Sequence, residues 1–190
     1  MFLTVKELQY KKEEYAEAEV SFVEILKIYE ELDNDNRNEY FPDDVADIFI
    51  RLGFLQYMKE EYAEAEASFK EALKKYKKLN NECGDIRNIA DAFLFLGNSQ
   101  NKKQKYAEAE VSYKEALKAY KKIGKWYSGD SHLPYLAKTL ISLSALSTDK
   151  KTALKYADET VKILNKHSNS PLAQEYLVEI KQIIENWNNK

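Results

Sequence analysis

The chain has 190 residues, with 29 Lys and Arg against 32 Asp and Glu, for a formal net charge of −3; a nucleic-acid partner usually leaves a strong basic excess, and none is present. A single cysteine, Cys83, excludes an intramolecular disulfide framework and a cysteine-rich metal site. Five glycines and three prolines among abundant Ala, Glu, Lys and Leu predict helix throughout. No apolar run is long enough to span a membrane, and the opening MFLTVKELQY carries acidic Glu7 and no apolar core before a cleavage site, so it does not read as a secretory signal. The expectation is cytoplasmic.

The first predicted unit covers about residues 1–34. A short helix A starts near Phe2, and a helix B opens at the pentapeptide YAEAE, Tyr15–Glu19. Phe2, Leu3, Val5 and Leu8 precede any capping residue, which points to self-association through this N-terminal helix or to a longer array. The connection DNDNRNEYFPDD, Asp33–Asp44, has an Asp-x-Asp spacing but lacks the glycine and terminal glutamate of a calcium loop. It reads as a solvated linker that ends in helix-capping residues.

The second unit, about 43–80, opens its helix A after Pro42-Asp43-Asp44 and its helix B at a second YAEAE, Tyr62–Glu66. Tyr62, Ala65, Phe69, Ala72, Leu73 and Tyr76 fall on one helical face. The third unit, about 85–124, follows Gly84-Asp85 and repeats that face as Tyr106, Ala109, Tyr113, Ala116, Leu117 and Tyr120. The three YAEAE tyrosines stand 47 and 44 residues apart, and LQYKKEEYAEAE at Leu8 differs from LQYMKEEYAEAE at Leu55 only at Lys11 and Met58. A fourth unit, about 131–167, pairs Leu133–Ser147 with Asp149–Lys166, with Ala153, Ala157 and Thr160 at its small positions. A last amphipathic helix, about 170–188, carries Leu172, Tyr176, Leu177, Ile180, Ile183, Ile184 and Trp187 on one face and polar residues on the other, as a capping helix should.

In helix A, Phe49, Leu52, Gly53 and Gln56 recur as Phe93, Leu96, Gly97 and Gln100. With the Ala, aromatic and Ala of helix B, this resembles the tetratricopeptide repeat. Gln stands where that family usually has Tyr, and the terminal Pro is absent. The longer period is similar to the repeats of kinesin light chain-like proteins. The resemblance implies an all-α, right-handed solenoid of antiparallel helix pairs. It further implies a non-catalytic interaction module, a scaffold or adaptor, that takes a peptide or helix of a protein partner in its concave groove without a cofactor. A peptide-sensing regulatory domain of a larger protein is the alternative. Carried over position by position, the inward-facing candidates are Tyr10, Lys11, Ile50, Phe54, Tyr57, Met58, Leu94, Asn98, Asn101 and Lys102, with Lys138 and Ser142 extending them. Ile50 and Phe54 stand where the carboxylate-clamp subtype carries Lys and Asn, so that clamp is not expected.

The residues offer no catalytic constellation. Glutamates two apart within YAEAE do not face each other on a helix, and they are expected on the outside. His132 and His167 are expected as exposed loop or cap residues, and Cys83 as an incidental loop thiol. The repeated Gln9, Gln56 and Gln100 either bridge adjacent helices or offer amides to a bound peptide, and the bridging role is favoured.

Overall fold

Few helix breakers fall inside the periodic segments, so each segment runs its full length as helix. The computed structural model describes residues 5–34, 42–79, 86–126, 132–165 and 171–189, with side chains over 14–31, 44–77, 86–123, 132–165 and 171–189. Among them are eight helices and no strand: α1 (Val5–Asn34), α2 (Pro42–Met58), α3 (Tyr62–Leu79), α4 (Ile86–Lys102), α5 (Tyr106–Trp126), α6 (Leu133–Leu146), α7 (Lys150–Asn165) and α8 (Pro171–Asn188). The predicted all-α class of helix pairs stands. Packing divides the chain into two units, Met1–Asn88 and Ile89–Lys190.

In the first unit α2 and α3 form a tight hairpin. Its turn places Glu60 at φ 65°, while the Glu60 and Glu61 amides donate to the Tyr57 and Gln56 carbonyls at 3.0 and 2.8 Å. This is a Schellman cap, which satisfies carbonyls that the end of α2 would otherwise leave open. The two helices cross where α2 is smallest. A Cβ placed on Gly53 would lie 2.9 Å from Phe69 Cε1, inside van der Waals contact. Ala65, Phe69 and Ala72 of α3 are fully buried in that seam. The Tyr76 hydroxyl donates to Asp47, which also accepts from Asn88 Nδ2 at 2.8 Å.

The first predicted hairpin is not formed. Residues expected as a short helix A and a separate helix B make one continuous helix, α1. Register explains the difference. Lys6 stands 47 positions before Gly53, and Phe22 the same distance before Phe69. A lysine Cβ cannot enter a crossing that has no room for an alanine. Without that crossing nothing offsets the cost of a left-handed residue at Glu13, the counterpart of Glu60. Backbone hydrogen bonding therefore continues straight through.

The second unit opens with an equivalent hairpin, α4–α5. Gln104 takes φ 60°, and a Cβ on Gly97 would lie 2.7 Å from Tyr113 Cδ1. Tyr120 donates to Asp91 at 2.5 Å, in register with the Tyr76–Asp47 pair. The following hairpin, α6–α7, solves the crossing in reverse. In register with Gly97 and Tyr113 stand Ile141 and Ala157, 1% and 0% exposed. The large side chain has moved from one helix to the other. This hairpin has no left-handed residue: Ser147 is extended at the end of α6, and the Asp149 carboxylate accepts the Thr152 amide at 2.8 Å as an N-cap.

The last helix closes this core. Tyr176 and Leu177 pack on Ala137, Leu164 and Ala173, while Ile180, with Ile183 and Ile184, covers Ile141 and Ala157. His132, expected to be exposed, is only 4% exposed. It sits at the N-cap of α6, where its carbonyl accepts the Leu136 amide at 3.0 Å. His167 and Cys83 lie outside the described residues.

Candidate partner-binding surface

The candidates on α2 share one stripe, because Ile50, Phe54, Tyr57 and Met58 stand at i, i+4, i+7 and i+8. They differ in how much of each reaches solvent. Ile50 is 7% exposed and belongs to the core. Phe54 is half-buried and meets Phe69 edge-on, with ring centroids 6.0 Å apart. Tyr57 is half-buried against Tyr62, at 5.4 Å and 64° between planes. Burial, with the Tyr62 hydroxyl nearby, pushes the Tyr57 phenol up. Met58 is 56% exposed at the end of the stripe.

The same positions on α4 are more polar. Leu94 is 1% exposed and packs in the core. Asn98 is half-buried, and its side-chain oxygen accepts the Tyr113 hydroxyl at 2.8 Å. Asn101 is half-buried and Lys102 exposed. On α6 the register continues to Lys138, but α8 already engages it. Its ammonium lies 3.1 Å from Glu179 and 5.5 Å from the centroid of the Tyr176 ring. Tyr10 and Lys11 lie on α1, with side chains outside the described residues, and not on a separate helix A.

A polar relay binds the helices behind the α2 stripe. Gln56 donates from Nε2 to Glu19 on α1 at 3.1 Å and accepts from Ser68 on α3 at 2.7 Å. Lys59 joins Glu19 at 2.5 Å and Glu61 at 2.9 Å. Burial pushes the Glu19 carboxyl up, but the hydrogen bonds from Lys59 and Gln56 and the Lys59 charge outweigh it, and the group sits below the ordinary range. Gln56 is thus a bridge between helices, while the side chain of Gln9 lies outside the described residues. The final glutamate of YAEAE is not solvated as expected: Glu19 is half-buried and Glu66 is 4% exposed. The available signal was joint recurrence, since Gln56 and Lys59 return as Gln100 and Lys103. Part of the relay also recurs, with Ser112 donating to Gln100 at 2.7 Å. In the next hairpin Ser144 takes the glutamine position and donates to the Ala153 carbonyl. On α5, Glu110 pairs along its own helix with Lys114, at 2.7 Å.

The α2–α3 hairpin, with glycine under an aromatic ring and alanines along the seam, can be compared with known repeats. Residues 45–82 match the tetratricopeptide repeat. Tetratricopeptide repeats mediate protein–protein interaction. Among solved structures the chain resembles BtubC (BKLC) from P. vanneervenii, a bacterial kinesin light chain-like tetratricopeptide-repeat protein, at 19% identity and a TM-score of 0.57. That likeness covers 79% of this chain and 59% of the other, so the chain spans about three-fifths of the neighbour's length. It extends the tetratricopeptide-like fold beyond the matched repeat. Comparison with curated proteins gives no match. Among the described residues no cluster of three or more His, Cys, Asp or Glu could hold a metal ion, and no helix is long and apolar enough to cross a membrane.

Proposed function

We propose that this chain is a non-catalytic interaction module, a scaffold or adaptor, that takes an apolar segment of a protein partner along α2. The observation that carries this reading is the α2 stripe. Half-buried Phe54 and Tyr57 form an aromatic floor, and the flexible thioether of Met58 stands 56% exposed at its end. A polarizable, adaptable side chain beside aromatic rings suits an apolar helix or an extended segment.

The test uses the most exposed residue of the stripe, so that folding and binding separate. Met58→Glu leaves the melting temperature within error and abolishes capture of the partner that the unaltered chain retains from its native lysate. Partners that persist through Met58→Glu overturn the assignment.

A further inference from the structure

The face of α1 that would meet a helix A is more exposed than the equivalent faces of α3 and α5. Ser68 and Ser112 are 7% and 5% exposed under their own helix A, whereas their counterpart Ser21 is exposed and bonds back to the Glu17 carbonyl at 3.1 Å. Ala72 and Ala116 are both fully buried, and the counterpart Ile25 is 37% exposed. Phe69 and Tyr113 are 0% and 1% exposed, and Phe22 is half-buried. Tyr29 reaches an aspartate only through an exposed 3.4 Å contact to Asp44. Apolar residues also continue around the helix at Val20, Val23 and Ile28, which are 58%, 38% and 55% exposed. At two of these positions α3 carries lysine, Lys70 and Lys75. An apolar set wider than one stripe, even among exposed Glu17, Glu24 and Lys27, is patterned for more cover than one neighbour gives.

The chain shows twice what covers the equivalent face. Asp47, Gly53 and Gln56 on α2, and Asp91, Gly97 and Gln100 on α4, share the spacing Asp-x5-Gly-x2-Gln. In each case the Asp accepts the tyrosine hydroxyl, the Gly admits the aromatic ring and the Gln accepts the serine hydroxyl at 2.7 Å. The residues preceding Tyr15 cannot supply this, because Lys6 occupies the glycine position. We infer that α1 presents a receptor face, spanning Ser21, Phe22, Ile25 and Tyr29, for an amphipathic helix with the pattern Asp-x5-Gly-x2-Gln on a partner protein. The occupant continues an interface already built twice in the same chain. The inference is independent of the α2 stripe and adds a second docking surface on another helix.

The probe is a fluorescent peptide with the α2 sequence, Pro42–Met58, titrated into the intact chain to about 1 mM, since a short isolated helix binds weakly. Saturable binding is expected. It weakens about tenfold or more when the peptide carries leucine at its glycine, and equally with Ile25→Glu in the protein. Val178→Lys, at a 68% exposed position on α8 outside both surfaces, leaves it unchanged. Absence of binding, or binding indifferent to both the glycine and Ile25→Glu, overturns the inference. A dimer that Ile25→Glu dissociates also overturns it, because a second copy then holds the face.

Discussion

Gly97 lies directly beneath Tyr113, so close that a Cβ on the glycine would fall 2.7 Å from the ring. An aromatic ring cannot yield by rotating a methylene, and both residues sit in helices that pack along their length. Gly97→Ala gains about 1 kcal/mol of helix propensity, but overpacking costs about 1–3 kcal/mol. The net expectation is a loss, seen as a lower urea midpoint. Gly97→Ile combined with Tyr113→Ala recreates the Ile141–Ala157 arrangement and is expected to be more stable than the sum of the two single changes. An additive double mutant would refute the compensation.

The turns give a change of opposite sign. Glu60 and Gln104 hold positive φ in their Schellman caps, where a side chain costs energy and glycine does not. Glu60→Gly and Gln104→Gly are each expected to raise stability by about 1 kcal/mol, less the greater entropy of glycine in the unfolded chain. Thermal melting checks this, with Glu13→Gly in the continuous helix α1 expected to destabilise instead.

Acid should weaken the α1–α2 contact. Glu19 titrates below its unfolded value, roughly 4.3 for a free glutamate. Its folded form therefore holds its proton less tightly than the unfolded chain does. The stabilisation is fully present above the unfolded value and is lost as pH falls through the folded one. As pH falls through the unfolded value and below it, the unaltered chain should lose stability more steeply than Glu19→Gln. Parallel acid limbs in urea titrations would show that the Lys59 and Gln56 bonds contribute nothing.

The capping role of α8 rests on Ile180, which is fully buried, next to Val178, which is 68% exposed. Ile180→Ala is expected to cost about 2–5 kcal/mol, and Val178→Ala less than about 0.5 kcal/mol. Equal effects in denaturant melts would show that α8 does not cover Ile141 and Ala157.

Helix types and pairings were legible because apolar spacing is local and repeated. The α2–α3 seam followed from the spacing of Tyr62, Ala65, Phe69, Ala72 and Tyr76, and the cap from the two-faced pattern after Pro171. The straight course of α1 was hidden because LQYKKEEYAEAE and LQYMKEEYAEAE carry nearly the same local signal. The deciding residue is Lys6 against Gly53, outside the shared segment and important only once the chain folds back. The candidate stripe was legible as a register but not as a surface. Periodicity places Ile50 and Leu94 on the same face as Met58, yet it does not say which of them a neighbouring helix buries. The Glu19–Gln56–Ser68 relay crosses three helices, and a pattern read along one helix does not reveal such partners.

The reversal of bulk between Gly97–Tyr113 and Ile141–Ala157 bears on how similar hairpins avoid mis-threading as the chain folds. Were α4 to seek α7 in place of α5, glycine would face alanine and leave a void; were α6 to seek α5, isoleucine would meet tyrosine and clash. Wrong pairings within this unit are thus disfavoured from both sides. Near-identical modules otherwise invite misassembly, and the two hairpins of this unit carry different keys.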